Sequence, residues 1–224
     1  AGSRIKDHVL RHLDHYLETF EANAEAAGCK VHWARDADEA CRIVTDLCRA
    51  AEAKTVTRVK SMLGEEIGLP EALDAAGFER VETDLAEHIN QLSGDRPSHI
   101  VIPALHKTRE EVSDLFERAH PPYRHVDDVA ELVESARLTL REKYFAAEVG
   151  ISGANFLVAD SGAVCTVTNE GNAELTMQLP RVQIVTAGIE KLVPSMEHAG
   201  VLLRLLARSA LGMEITQYTT FLTG

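Results

Sequence analysis

Apolar residues recur at helical spacing along the first stretch of the chain. Val9, Leu13, Tyr16, Leu17 and Phe20 line one face of a helix predicted over 4–27, with Gly28 as its stop. A short β-like run, Val31-His32-Trp33, precedes a helix opened by Asp36 and running to Ala53. The period then shortens. Thr55–Val59, Phe78–Val81 and His99–Ile102 read as strands, separated by helices ending at Ala76, at Leu92 and at Ala119. Strands alternating with helices of this length predict right-handed crossovers and a mainly parallel sheet. Pro121 and Pro122 interrupt the pattern, and a long helix follows over 126–149. Beyond it the character changes. Asn155–Asp160 and Val164–Thr168 are β-like and joined by Ser161-Gly162, which predicts an antiparallel hairpin. Arg181–Ala187 is a further strand, a helix after Pro194 runs to Ala210, and 215–221 is β-prone. No linker divides the chain, so it reads as one α/β domain.

Composition narrows the function. Of 224 residues 45% are hydrophobic and 26% charged, enough to bury a core without covalent staples. The net charge of −12 repels phosphodiester backbones and anionic lipid surfaces, so neither nucleic acid nor membrane is an expected partner. No apolar run approaches the roughly 18 residues of a spanning helix, and no secretory leader is recognisable. Cys29, Cys41, Cys48 and Cys165 form no C-x-x-C pair, which argues against a zinc or iron–sulfur ligand run within the chain. A reducing cytoplasm is the expected compartment.

Candidate chemistry sits where strands give way to turns. Ligands in open α/β sheets collect beyond the carboxyl ends of strands. Lys60 and Ser61, between a strand and a helix, offer a cation beside backbone N–H groups, an anion site, or else a plain helix cap. Asn169-Glu170-Gly171-Asn172 leaves a strand as a polar cluster in which Glu170 can serve as base or nucleophile; the same residues suit an ordinary turn. His106 and Lys107 follow the run at 99–102, and Asn155 closes a Gly-containing turn. Asp84 and Glu87 have capping-box spacing, which accounts for both. His8, His12 and His15 read as a solvated helix face rather than a metal site. Lys60, Ser61, His106, Asn155, Glu170 and Asn172 are expected on one rim of the sheet.

The segments VKSMLGEE, VETDLAEHINQL, PSHIVIPALHK, GISGANFLVADSG, VTNEGN and GIEKLVPS, in this order, resemble the lactate-utilisation (LUD) domain family, and within it the central domain of the iron–sulfur subunits. The resemblance implies a three-layer α/β/α fold with a mainly parallel sheet plus an antiparallel hairpin, similar to the sugar-phosphate isomerase and CoA-transferase group. It implies a single LUD-type domain over 1–224, part of a longer protein, working in the cytoplasm with other lactate-utilisation subunits to convert L-lactate to pyruvate. The [4Fe–4S] clusters of electron transport would lie in a C-terminal segment, with no cofactor in this chain, and the chain alone would not oxidise lactate. The alternative is an independent CoA-transferase-like or phosphate-binding enzyme domain. By that analogy Glu170 is the candidate catalytic residue; Lys60, Ser61, His106, Lys107, Asn155, Asn169, Gly171 and Asn172, from their places at strand ends, are the candidate ligand-binding residues for a small anion.

Overall fold

The computed structural model describes residues 1–98, 102–214 and 216–224. Its strands are β1 (Thr55–Arg58), β2 (Glu79–Glu82), β3 (Val149–Gly153), β4 (Phe156–Val158), β5 (Ala163–Thr168), β6 (Val182–Thr186), β7 (Leu192–Val193) and β8 (Tyr218–Leu222). Its helices are α1 (Gly2–Arg11), α2 (Leu13–Ala26), α3 (Ala37–Ala50), α4 (Met62–Glu66), α5 (Leu69–Ala75), α6 (Leu85–Ser93), α7 (Arg109–Ala119), α8 (Val129–Ala146), α9 (Asn172–Gln178) and α10 (Met196–Leu211). They form two compact units, the first from 1–36, 153–171 and 185–224, the second from 37–152 and 172–184.

The second unit is organised by a sheet of order β2-β1-β3-β6. β1 pairs in parallel with β2, placing Thr57 beside Val81, and in parallel with β3, placing Thr57 beside Gly150. Successive side chains on a strand point to opposite faces. Val56 accordingly packs with Val44 and Cys48 of α3, Leu73 of α5 and Ile151 of β3. Val81, in register with Thr57, faces the other way and packs with Leu140 and Tyr144 of α8. Helices therefore cover both faces, and all four residues of β1 are buried. β3 runs through the middle with glycine at position 150, where a Cβ would lie 1.9 Å from the Thr176 carbonyl oxygen. Only a bare backbone lets the end of α9 settle there.

The first unit carries the order β7-β4-β5-β8. β4 and β5 are the expected antiparallel hairpin, Leu157 opposite Val164; β8 adds antiparallel to β5 and β7 parallel to β4. Leu157 packs with Val9, Phe20 and Ala24 of the N-terminal helices. Its neighbours Phe156 and Val158 point the other way and pack with Cys165, Val193 and Ala199 of α10. Both units are thus helix–sheet–helix layers, in accord with the α/β/α expectation.

Local details differ from the sequence reading. The first helix breaks at His12 (φ −130°), where α1 ends and α2 begins. Residues 29–34 form no strand; Val31 packs against the first unit's core without entering the sheet. The helix after β1 divides at Gly68, and Pro70 sits in the first turn of α5. The expected strand at 99–102 lies, for 99–101, outside the described residues, as does Ile215 of the β-prone tail. Among the described residues no helix is long and apolar enough to cross a membrane.

In the core formed by α6, α7 and α8, His88 and His120 lie with their Nε2 atoms 3.0 Å apart, so one proton bridges two rings. His120 Nδ1 reaches Ser135 Oγ at 3.1 Å, while His88 Nδ1 is buried with no partner among the described residues. Burial, reinforced by His120, pushes the His88 pKa down to about 4, and burial lowers that of His120. The folded chain therefore excludes protons that the unfolded chain takes up below its ordinary histidine value near 6.5. This contribution to stability is complete above that value and is lost as the pH falls toward 4. Between pH 7 and pH 4, the unfolding free energy of His88→Leu should gain about 3 kcal/mol on the wild type. Urea titrations at the two pH values read this directly, and an unchanged difference would mean that the rings stay hydrated.

Candidate functional site

Because β1 and β2 are parallel, the segments that leave them start from the same end of the sheet. Lys60 and Ser61 follow β1, and Ser61 Oγ caps α4 by accepting from the Gly64 N–H at 3.3 Å. Asp84 follows β2, and its Oδ1 accepts from Ala86 N at 3.0 Å and Glu87 N at 3.1 Å. Behind these turns lies a buried charge network. Arg58 is 2% exposed and Glu82 1%. Arg58 Nε donates to Glu82 Oε1 at 2.7 Å and Nη2 donates to Glu65, while Arg80 Nη1 donates to the same Glu82 oxygen. The Arg58 charge is thereby committed to two carboxylates.

A cleft of about 680 Å³ opens at this strand end, lined among others by Lys60, Met62, Glu65, Glu87, Arg96 and Ser98. Glu87 is only 6% exposed, and its carboxyl makes no hydrogen bond among the described residues. Burial, followed by repulsion from Glu82 and Glu65, pushes its pKa up to about 7, with Arg58 pulling the other way. A carboxyl of that kind changes protonation near neutrality, which is the condition for acid–base work or for donating a hydrogen bond to an anion.

The local spacing predicts a different task for Glu87, the closing of a capping box. Asp84 does cap α6, but the Glu87 side chain does not close a capping box. The same spacing at Thr108 and Glu111 does form one: Glu111 N donates to Thr108 Oγ1 at 3.2 Å and Thr108 N to Glu111 Oε2 at 2.8 Å. Glu111 is exposed whereas Glu87 is buried on the cleft, a difference of tertiary setting that the two local patterns do not encode. Arg58, Glu82 and Arg96 were likewise not singled out.

The residues that were singled out divide between the units. Lys60, Ser61, His106, Lys107 and Asn172 belong to the second, and Asn155, Asn169, Glu170 and Gly171 to the first. In the second, Lys60 lines the cleft. His106 Nδ1 lies 2.8 Å from Ser98 Oγ, on the cleft wall, and its Nε2 is 3.3 Å from Asp95. Lys107 pairs with Asp95, and hydrogen bonds from Lys107, His106 and Ser93 hold that exposed carboxyl down to about 2. His106 and Lys107 thus fasten the segment carrying Arg96 and Ser98. Lys107 also borders a separate groove of about 540 Å³ with Asp114 and Arg118. Asn172 opens α9, a helix where the sequence suggested a turn, and its Oδ1 is buried without a partner among the described residues.

In the first unit, Asn155 secures the hairpin: its Oδ1 accepts from Val167 N, and its own N–H donates to the Cys165 carbonyl, both at 2.8 Å. Asn169 Oδ1 accepts from Gln217 N at 3.4 Å, and Gly171 turns at φ +74° near the Tyr218 ring. Glu170 is exposed at the carboxyl end of β5.

Cys41, Cys48 and Cys165 are poorly disposed to ligate an iron–sulfur cluster. Cys48 and Cys165 are built into separate cores, and burial pushes their thiols up to about 11 and about 12, against the thiolate that iron requires. Cys41 lies against the core that holds Cys48, and its thiol donates to the Ile67 carbonyl at 3.2 Å. Among the described residues, the one grouping of three metal-type donors, Asp114, Glu117 and His125, contains no cysteine.

Comparison with known proteins places this architecture. The chain is 43% identical over 219 residues to lactate utilization protein B of Bacillus cereus (strain B4264), a match covering 98% of this chain and 46% of that protein. Proteins of the same name from Bacillus thuringiensis (strain Al Hakam) and Bacillus anthracis (strain CDC 684) match with the same identity and coverage. The chain thus spans about half the length of the curated relatives it matches. No solved structure matches it significantly. The family model of the LUD domain matches residues 17–224, and the chain belongs to the LUD domain family.

Proposed function

We propose that this chain is the ligand-holding LUD portion of a lactate-utilisation protein. In this reading it binds a small 2-hydroxy or 2-oxo carboxylate within a cytoplasmic complex that oxidises L-lactate to pyruvate, alongside other lactate-utilisation subunits. Electrons pass through iron–sulfur clusters carried by other segments. The name shared by the relatives supports lactate as the substrate class. The observation that carries the ligand site is the cleft at the ends of β1 and β2, where Lys60 and Arg96 bring positive charge to a wall that also offers the Ser98 hydroxyl. A carboxylate there gains charge-assisted hydrogen bonds, and a 2-hydroxyl or 2-oxo group is within the chemistry of a serine hydroxyl. The buried, high-pKa cysteines support a role for this chain in holding rather than conducting.

Titration of the isotope-labelled chain with L-lactate or pyruvate, followed by amide chemical shifts, tests the reading. Shifts should concentrate at Lys60, Glu87 and Arg96–Ser98. Lys60→Met should weaken binding about tenfold or more, the worth of one charge-assisted contact. Saturation without these shifts, or an unchanged affinity in Lys60→Met, would move the ligand elsewhere.

A further inference from the structure

The cleft sets an electrostatic problem for any anion. Glu65, Glu66, Glu71 and Glu87 stand on its wall against Lys60 and Arg96. Arg58 offers little relief, because Glu65 and Glu82 already hold its guanidinium. With every carboxyl ionised, a carboxylate ligand would enter a site whose wall carries more acids than cations, and like charges at short range in a partly desolvated site oppose binding.

One of those carboxyls is unlike the rest. Glu66 is exposed, and Glu65 is paired with Arg58. Glu87 is buried, has no hydrogen-bond partner among the described residues, and lies on the cleft wall. It faces Glu82 and Asp84 from the end of β2 and the turn beyond it, Glu65 from α4 and Arg58 from β1. Three acids and one committed base around a desolvated carboxyl favour its neutral form, and a neutral carboxyl on the cleft wall has an O–H that it can donate into the cleft.

Resting on the carboxylate-ligand reading, we infer that Glu87 receives the ligand as a neutral acid, donating its O–H to the carboxylate of a small 2-hydroxy or 2-oxo acid, so that binding to the ionised site takes one proton from solution. The balance is simple: ionised Glu87, ligand anion and one proton give a neutral Glu87 hydrogen-bonded to the anion, with no covalent bond made or broken in the ligand. The site thereby selects monoanions in acid–carboxylate pairing and couples occupancy to pH. Its midpoint follows from the value near 7 of the empty site.

Isothermal titration of the 224-residue chain with L-lactate and with pyruvate from pH 6 to pH 9 reads the coupling. Affinity should be level below pH 7 and fall about tenfold for each further pH unit. At pH 8, the heat measured in buffers of differing ionisation enthalpy should report uptake of about one proton per ligand, an outcome that needs no variant. Glu87→Gln, whose amide donates in the same place without titrating, should bind with no slope across the range. A level wild-type profile, or a Glu87→Gln profile with the wild-type slope, would overturn the role of Glu87 while leaving the ligand reading standing. Failure of the wild type to bind either acid at any pH would overturn both.

Discussion

Gly162→Ala should unfold at a markedly lower urea concentration than the wild type. Gly162 closes the β4–β5 hairpin at φ +69°, and a Cβ there would lie 2.3 Å from the Ala24 nitrogen and 2.6 Å from its Cα. Two costs add. A left-handed backbone is unfavourable by roughly 1–2 kcal/mol for a residue with a Cβ. Forcing an atom into packed backbone costs typically a further ~1–3 kcal/mol, and here there is no flexible side chain to give way. The expected loss is about 2–5 kcal/mol, a large part of the stability of an ordinary domain. Gly77→Ala separates the terms, because Gly77 has φ +85° but no atom within 4 Å of its would-be Cβ. It should lose only about 1 kcal/mol. Equal midpoints for the two variants would show that α2 does not press on the hairpin as described.

The second large effect belongs to Arg58. Arg58→Met leaves Glu82, 1% exposed, with Arg80 as its remaining cation. Breaking a buried pair from one side strands a charge in a poorly polarisable interior, at a cost of about 3–5 kcal/mol. Replacing both partners, as in Arg58→Met with Glu82→Leu, should recover part of that loss, since the two most deeply buried charges go together while Arg80 keeps Asp74 and Glu65 is partly exposed. Denaturant unfolding of the two single variants and the double variant makes a thermodynamic cycle. Additive losses in the double variant would mean that the two side chains act independently.

Much of the architecture could be read from residues in order. The Thr55–Val59 and Phe78–Val81 runs carry β-branched or aromatic residues, are short and are followed by capping residues, and they become parallel neighbours. Ser161-Gly162 between two β-like runs marks the hairpin because its backbone demand is local. What escaped depends on partners remote in sequence. Gly150 resembles a helix stop, yet it is the centre of β3 because α9 needs the space its missing side chain leaves. Asn169–Asn172 has turn composition, but Asn172 begins α9 once Ala173 and Met177 find a core to enter. The site was half legible. Lys60 follows from the strand-end rule. Glu87 was hidden behind a spacing that explained it locally, and only burial distinguishes it from Glu111.

The way the units draw on the chain sets an order for their assembly. As synthesis proceeds, the helices at 2–26 emerge well before the sheet they cover, which is assembled from 156–168, 192–193 and 218–222. The second unit has all its segments once residue 184 has been made. The helices at 2–26 must therefore wait for strands that follow the whole of 37–152, with the apolar faces of Val9, Phe20 and Ala24 uncovered meanwhile. Once residues through 184 have left the ribosome, the second unit has its segments in hand, while the first has its helical pair and the β4–β5 hairpin but lacks β7, α10 and β8. That interval is when holding chaperones have the most surface to grip.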